Sequence, residues 1–174
     1  MEAGFAVWIT GLPASGKSTV ATALRKELAS LGENVAVLES DALRKVFTPH
    51  PRYDDEERDV FYGALAHVGR LLTEHGVSVI FDATANRRAY RDRARREIAR
   101  FLEVFIDCPL AVCIARDPKG IYRRGREGSA TGVPGIQVDY EPPPSPDLVV
   151  RGEEEAPASA AHRIVGKLIE KGYV

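Results

Sequence analysis

The sequence lacks the features that mark a membrane or secreted protein. None of its apolar runs approaches the roughly 18 to 20 residues that a membrane-spanning helix requires. The N-terminal stretch MEAG carries no basic residue, so it does not resemble the start of a signal peptide. We therefore expect a cytoplasmic protein that does not interact with membranes.

Cysteine is scarce, and the two cysteines show no pattern of a metal site. Cys108 and Cys113 lie in one apolar stretch, without CxxC spacing and without nearby histidines. We predict that both are buried structural thiols with no chemical role. The histidines also fall in no metal-ligand spacing, and we interpret them as surface or packing residues: His50, His67, His75 and His162.

An excess of charge of either sign is also absent. The 24 Lys and Arg residues nearly balance 25 Asp and Glu residues, which gives a formal net charge of −1. Because the chain has no general basic field, a nucleic acid is not favoured as its main partner. A small anionic substrate is favoured instead. With 174 residues, 44% of them hydrophobic, the chain suits a single domain over residues 1–174.

Short apolar runs alternate with helical stretches along the chain. The runs are rich in β-branched and aromatic residues, and they predict buried strands at residues 5–10, 35–39, 77–82, 101–107 and 148–150. The helical stretches cover residues 17–31, 54–75, 87–100 and 158–171. This alternation predicts an α/β fold of three layers, in which helices lie on both faces of a five-stranded parallel sheet.

One segment, residues 117–147, interrupts the alternation. It is rich in Gly, Pro and Arg and shows little helical or strand period. Long irregular segments in compact domains are usually functional or disordered. We interpret this one as a mobile lid whose basic residues suit anionic groups, with an unstructured surface excursion as the alternative.

The strongest motif is GLPASGKS at residues 11–18, which matches GxxxxGKS and lies between a predicted strand and a predicted helix. Backbone N–H groups of this loop and of the helix start would surround the phosphates of ATP. Lys17 would reach the β- and γ-phosphates, and Ser18 would be a magnesium ligand. With Arg116 added, the predicted ATP-binding residues are Gly11, Leu12, Pro13, Ala14, Ser15, Gly16, Lys17, Ser18, Thr19 and Arg116.

Acidic residues follow the predicted strands, at the edge where the ligands of parallel sheets collect. In LESDALR, Asp41 precedes Arg44 by one helical turn, so the pair could orient an acceptor hydroxyl and hold the acceptor's own anion. The alternative is a helix N-cap at Asp41 or Ser40 and a solvated Arg44. Asp82 of VIFDATANRR would hold a magnesium-bound water beside the P-loop or stabilise the site. Further polar residues near this edge are Arg88, Arg91 and Asp107.

These residues resemble the adenylyl-sulfate (APS) kinases, a family that transfers the γ-phosphoryl group of ATP to the 3′-hydroxyl of adenosine 5′-phosphosulfate. The resemblance runs from Ala6 to about Val150, and its most specific part is FIDCPLAVCIARDPKGIYRRGREGSATGVPGI followed by YEPPPSPDLVV. It implies a P-loop kinase fold with a lid, and Mg²⁺ with ATP as the phosphoryl donor. The family is commonly dimeric, so a homodimer is compatible with the resemblance.

The resemblance also implies roles for residues on the acceptor side. Asp41 corresponds to the second acid of the family's DGDN motif, which orients the acceptor, so Lys17 and Asp41 are the expected catalytic residues. Arg44 and Arg58 correspond to arginines that bind the substrate anion, and Tyr53 to an aromatic residue on the substrate adenine. The remaining expected substrate contacts are Arg88, Lys119 of DPKG at the phosphosulfate, and Gly132 and Val133, where the lid covers the adenine.

The acceptor side also departs from the family pattern. Ala42 replaces an asparagine contact, because DGDN is ESDA here, and Phe61 and Gly63 stand where the family usually carries Asn and Arg. Val133 replaces a phenylalanine that would stack on the adenine, a contact worth about 1 to 3 kcal/mol. Ala85 replaces a serine that is sometimes proposed as a phosphorylated intermediate, so we expect direct transfer.

The sequence therefore predicts an ATP-dependent APS kinase that forms 3′-phosphoadenosine 5′-phosphosulfate. One alternative is a P-loop kinase of another small hydroxyl compound or of a nucleic-acid 5′ end, because DATANR also resembles kinases that act on RNA or polynucleotide ends. A second is a non-enzymatic nucleotide switch, although the chain has no NKxD stretch for a guanine base.

Overall fold

Five parallel strands form one sheet at the centre of the protein. The computed structural model describes residues 2–174, and its strands are β1 Ala6–Thr10, β2 Val35–Glu39, β3 Ser78–Asp82, β4 Phe101–Asp107 and β5 Leu148–Arg151. They follow the order β2-β3-β1-β4-β5, and each neighbouring pair is parallel. The predicted α/β class and five-stranded parallel sheet are therefore confirmed.

Helices connect the strands and cover both faces of the sheet. They are α1 Lys17–Ser30, α2 Ser40–Phe47, α3 Asp55–Glu74, α4 Arg88–Glu97, α5 Leu110–Arg116, α6 Ile121–Glu127 and α7 Pro157–Glu170. The prediction for α4 ran too far, because Ile98 already has extended backbone angles before β4 begins. Nowhere in residues 2–174 does a helix combine the length and apolar character needed to cross a membrane.

The segment predicted as an irregular lid contains a helix that the sequence analysis missed. This helix, α6, lies between Gly120 and Gly128, which adopt left-handed φ angles of 65° and 79°. The two turns of α6 contain too few apolar positions to show a helical period. The prediction therefore depended on composition, which suggested a loop. Tyr122 and Val133 of the segment are buried against Cys108 and Cys113, so the segment is packed and is not an unstructured excursion.

Two apolar clusters hold the helices against the sheet. One side of β1 packs with α1 and α7, and the other side with α3 and α4. On the second side, the ring of Trp8 stacks on Phe81 at a centroid distance of 4.5 Å, and its indole N–H donates to the carbonyl of Ala83. Both cysteines are buried and unpaired by disulfides, and burial raises the pKa of Cys113 to about 12. The predicted burial of both thiols is confirmed.

A buried arginine connects the sheet to the end of the lid segment. Arg91, 1% exposed, pairs with Glu103 of β4 at 3.2 Å and donates to Thr10 Oγ1 at 3.0 Å. It also donates to the carbonyl of Glu141. The expectation that Arg91 lies near the ligand edge is therefore only partly right, because its charge is used inside the protein.

The packing of α3 on the sheet predicts a strong effect of a substitution at Gly69. A Cβ atom at this position would lie 2.1 Å from Phe81 Cζ, and the ring of Phe81 is held by its stacking on Trp8. Gly69→Ala should therefore lower the free energy of unfolding by about 1 to 3 kcal/mol through overpacking. Urea denaturation of the wild type and the variant measures this difference.

The matched control is Gly166→Ala in α7, where an added Cβ would meet no atom within 4 Å. Because alanine favours a helix over glycine, this variant should gain about 0.5 to 1 kcal/mol. Equal stability of Gly69→Ala and Gly166→Ala would contradict the packing described here.

Candidate active site

The P-loop connects β1 to α1 and leaves the start of α1 open to a ligand. Gly16 precedes α1 with a φ of 108°, a conformation that side chains rarely adopt. Ala14 also has a positive φ, of 62°. Among the described residues no side chain caps this helix end, so its first backbone N–H groups are free to donate to an anion.

A cavity of about 660 Å³ lies over this loop. Most of the predicted ATP-binding residues line it: Pro13, Ala14, Ser15, Gly16, Lys17, Ser18, Thr19 and Arg116. Gly11 and Leu12 do not, because Gly11 packs against the backbone of Ile106 and Leu12 belongs to the cluster beneath the lid. Their role is to support the loop rather than to line the cavity.

Lys17 is buried at the base of this cavity. Its ammonium donates to the carbonyl of Leu12 at 3.0 Å, and only 9% of the residue is exposed. Burial lowers the pKa of Lys17 below its usual value, and the charges of Asp82 and then Asp41 oppose that shift. The lysine is therefore a desolvated cation that an anionic ligand would stabilise.

Ser18 and Asp82 meet beside Lys17. The Ser18 hydroxyl donates to Asp82 Oδ2 at 2.6 Å, because Asp82 ends β3 and β3 neighbours β1, which leads into the P-loop. Both offer hard oxygen ligands, which Mg²⁺ prefers. In residues 2–174 no group of three or more His, Cys, Asp or Glu could hold a metal. The hydroxyl of Ser18 and the carboxylate of Asp82 suit Mg²⁺, which usually keeps several waters and binds substrate phosphates.

A second cavity, of about 350 Å³, adjoins the first. Asp41 and Lys119 line both cavities, so the two spaces meet at this pair. The predicted acceptor-side residues that line the second cavity are Asp41, Arg44, Tyr53, Arg58, Lys119, Gly132 and Val133.

Asp41 is positioned by the first turn of α2 and bound by the lid. Its carboxylate accepts a hydrogen bond from the Lys119 ammonium at 2.6 Å, and Glu39 Oε1 lies 3.8 Å from the same ammonium. The hydrogen bond with Asp41 raises the pKa of Lys119, although partial burial opposes the shift. Glu39, rather than Asp41 or Ser40, occupies the N-cap position of α2, so the N-cap alternative is wrong for both residues.

Two arginines and the lid shape the second cavity. Arg44 is buried, and its Cζ lies 4.0 Å from the ring centroid of Phe61, so the alternative of a solvated Arg44 is also wrong. Arg58 donates to the carbonyl of Gly132 and thereby binds the lid to α3. Tyr53 has a left-handed φ of 60°.

Val133 belongs to the apolar cluster beneath the lid as well as to the cavity wall. It is 3% exposed, and it packs with Tyr122 and Cys113. Its backbone N–H donates to the Gln137 side chain at 2.9 Å. Most of this side chain therefore contributes to lid packing rather than to a ligand surface.

Two edge residues lie outside both cavities. Arg88 is exposed, and its guanidinium donates to the carbonyl of Pro142 at 2.8 Å. The guanidinium is directed to the end of the lid, and the contact of Arg88 with substrate stays a prediction. Asp107 pairs with Arg151 at 3.4 Å and lines neither cavity.

The sequence analysis missed three contributions to the site. The Tyr122 hydroxyl donates to the carbonyl of Pro13 at 2.7 Å and links the lid to the P-loop. Gly152, after β5, lines the larger cavity, and an added Cβ would lie 2.6 Å from the carbonyl oxygen of Ser15. The rule of strand ends could have identified Gly152, whereas no local signal indicated Tyr122 or the contact of Phe61 with Arg44.

Comparisons with known proteins agree with this geometry. A family model described as adenylylsulphate kinase matches residues 3–151. The adenylyl-sulfate kinase of Microcystis aeruginosa is 38% identical over 99% of this chain and 96% of its own length. The probable adenylyl-sulfate kinase of Archaeoglobus fulgidus is 38% identical over 84% of this chain and 94% of its own.

Among solved structures, the Mycobacterium tuberculosis APS kinase CysC in complex with AMPPNP and APS is similar in fold. It superposes with a TM-score of 0.91 at 34% identity, over 97% of this chain and 99% of that one. The similarity therefore extends over nearly the whole of both chains, including the lid and the P-loop.

The burial of Lys17 predicts how the stability of the free protein depends on pH. Because the pKa of Lys17 is lowered in the folded state, the folded protein releases this proton before the unfolded chain does as pH rises towards 10.5. In that interval the unfolded state holds more protons, so the free energy of unfolding gains a contribution that increases with pH. Lys17→Met removes it, and the stability of the wild type relative to the variant should increase between pH 7 and pH 9.5.

Urea denaturation without nucleotide at both pH values measures this double difference. Lys26→Met is the control, because Lys26 lies on the exposed side of the same helix, and it should follow the wild type at both pH values. A constant difference between the wild type and Lys17→Met would contradict the burial cost assigned to Lys17.

Proposed function

The chain belongs to the adenylyl-sulfate kinase family, and we propose that this site transfers the γ-phosphoryl group of ATP to the 3′-hydroxyl of adenosine 5′-phosphosulfate. The observation that carries the proposal is the meeting of two cavities at Asp41 and Lys119. One cavity has the P-loop at its base, and the other is lined by three arginines, Arg44, Arg58 and Arg124. Such an arrangement places a nucleotide and an anionic acceptor on opposite sides of one carboxylate.

The larger cavity is the proposed ATP site. The open start of α1 would bind phosphates through its backbone N–H groups, and the buried ammonium of Lys17 would neutralise the charge that develops on them. Arg116 lines the same cavity, but its guanidinium also donates to the carbonyl of Gly152 at 2.9 Å. It therefore also supports the cavity wall.

Ser18 and Asp82 are the residues that would hold a magnesium ion. Their oxygens are already in contact at 2.6 Å, and they are the kinds of group with which P-loop enzymes hold Mg²⁺. The ion would neutralise negative charge on the phosphate oxygens of ATP. Lys17 provides positive charge to the same region whether or not the ion is bound.

The smaller cavity is the proposed site of adenosine 5′-phosphosulfate. Arg44 and Arg58 would bind its anionic group, while Tyr53 and Gly132 would contact its adenine. Ala42 and Phe61, two departures from the family pattern, line neither cavity. These two replacements therefore leave the space for the acceptor unfilled.

In the proposed reaction, the 3′-oxygen of the acceptor attacks the γ-phosphorus of ATP. The bond between that phosphorus and the β–γ bridging oxygen breaks, and ADP leaves. The hydroxyl proton passes to the carboxylate of Asp41, which also fixes the direction of attack. Lys119 now holds this carboxylate, and the anionic acceptor would compete for its ammonium and release Asp41 for the reaction.

The acceptor can be identified with γ-labelled ATP and a panel of adenosine 5′-phosphosulfate, adenosine and 5′-hydroxyl RNA. We expect rapid transfer of label to adenosine 5′-phosphosulfate, and slow transfer to adenosine, which lacks the anion that the arginines would bind. Label in RNA without label in adenosine 5′-phosphosulfate would refute the proposed acceptor.

Asp41→Asn tests the catalytic role of the carboxylate. Asparagine keeps the shape but cannot take the proton, so kcat should fall by about 10²- to 10⁴-fold. The dissociation constant for ATP, measured by calorimetry, should remain nearly unchanged. Asp107→Asn is the control, because Asp107 also ends a strand at this edge but lies outside both cavities. Near-normal turnover by Asp41→Asn would remove Asp41 from the mechanism.

A further inference from the structure

Three aromatic rings surround the guanidinium of Arg44. Its Cζ lies 4.0 Å from the ring centroid of Phe61, 5.1 Å from that of Tyr53 and 5.6 Å from that of Tyr62. The arginine is 7% exposed. Its charge is therefore removed from most of the solvent and faces the electron-rich surfaces of aromatic rings.

Hydrogen bonding within the protein does not account for this burial. Arg44 Nη1 is buried without a hydrogen-bond partner among the described residues. Glu57 Oε1 lies 3.5 Å from Nη1, but the Glu57 carboxylate accepts hydrogen bonds from the backbone N–H groups of Arg52 and Tyr53. The Glu57 carboxylate and the ring faces thus offset the charge of Arg44 together, and Nη1 remains without a hydrogen-bond partner.

The ring of Phe61 is the closest of the three and is itself held in place. Phe61 is 1% exposed, and it packs edge-on against Tyr62 at a centroid distance of 5.2 Å. The Tyr62 hydroxyl accepts from the backbone N–H of Ala85. This rigid support restricts the position of Arg44, which lines the smaller cavity, although Phe61 itself does not line it.

We propose that Phe61 is a positioning residue for acceptor binding: its ring holds the Arg44 guanidinium in place, with N–H donors free for the acceptor's anion. The inference rests on the proposed function for the identity of the acceptor. A buried cation with unused donors is costly until a ligand satisfies them. The energy released when they are satisfied contributes to acceptor affinity and not to ATP affinity.

Phe61→Leu removes the ring face but keeps an apolar side chain at this position. We expect the dissociation constant for adenosine 5′-phosphosulfate, measured by calorimetry without ATP, to rise about 10-fold. The KM for this acceptor should rise similarly, while the KM for ATP and kcat at saturating acceptor stay near the wild-type values. A purely structural defect would also change the ATP parameters.

The pathway through Arg44 is tested with a double-mutant cycle. In the background of Arg44→Met, Phe61→Leu should cause no further loss of acceptor affinity, because the cation that the ring holds is gone. If Phe61→Leu folds poorly, Phe61→Met replaces it in the test, because methionine fills more of the space. Phe61→Met should then show the loss of acceptor affinity that is expected of Phe61→Leu. Tyr90→Leu is the packing control, since Tyr90 stacks on Tyr62 but does not contact Arg44; it should retain acceptor affinity.

Unchanged acceptor affinity in Phe61→Leu and Phe61→Met would overturn the inference, as would an equal loss in the Arg44→Met background. Binding of adenosine 5′-phosphosulfate by the wild type without phosphoryl transfer would refute the proposed function but leave the role of Phe61 testable by calorimetry. Transfer at normal rates with an unaffected Phe61→Leu would refute the inference alone. Absence of acceptor binding by the wild type would refute both.

Discussion

The interior of the parallel sheet admits no unpaired charge, and this constraint determines where the chemistry of this protein can occur. β1 and β3 are buried along their whole lengths, so polar side chains that face a ligand must lie at or beyond the strand ends. Lys17 follows β1, Asp41 follows β2 and Asp82 ends β3. Because the strands are parallel, all three reach the same edge of the sheet. The one charge inside β4, on Glu103, is paired with Arg91.

The site keeps its charges in place by three different physical means. Burial desolvates Lys17 and lowers its pKa, although the charges of Asp82 and Asp41 oppose this shift. Lys119 is bound directly to Asp41, which raises its pKa. Arg44 is surrounded by ring faces, which stabilise a cation without using its hydrogen-bond donors, and the Glu57 carboxylate lies 3.5 Å from its Nη1. Each cation is therefore prepared for an anion in a different way, and the first two share Asp41 as a neighbour.

The features that could be predicted from the sequence are those encoded by neighbouring residues. The P-loop, the strands and the pair of Asp41 and Arg44 belong to this class, because each depends on a contiguous motif or a short period. Contacts between residues that are distant in the sequence could not be predicted. Arg88 and Arg91 belong to one arginine-rich run, yet Arg91 is buried against Glu103 of β4 and Thr10 of β1 while Arg88 lies at the surface. From the sequence, Phe61 was likewise recognised only as a departure from the family pattern, and its contact with Arg44 was not predicted.

Gly152 shows how strongly two distant parts of the chain restrict each other. The space for a side chain there is taken by the backbone of Ser15 and by Cys108, so neither the P-loop nor the end of β5 can change shape alone. During divergence among related sequences, any larger residue at this position would have to appear together with a displaced phosphate-binding loop. A substitution of Gly152 in a homologue would therefore indicate a rearranged nucleotide site, even where the P-loop sequence is identical.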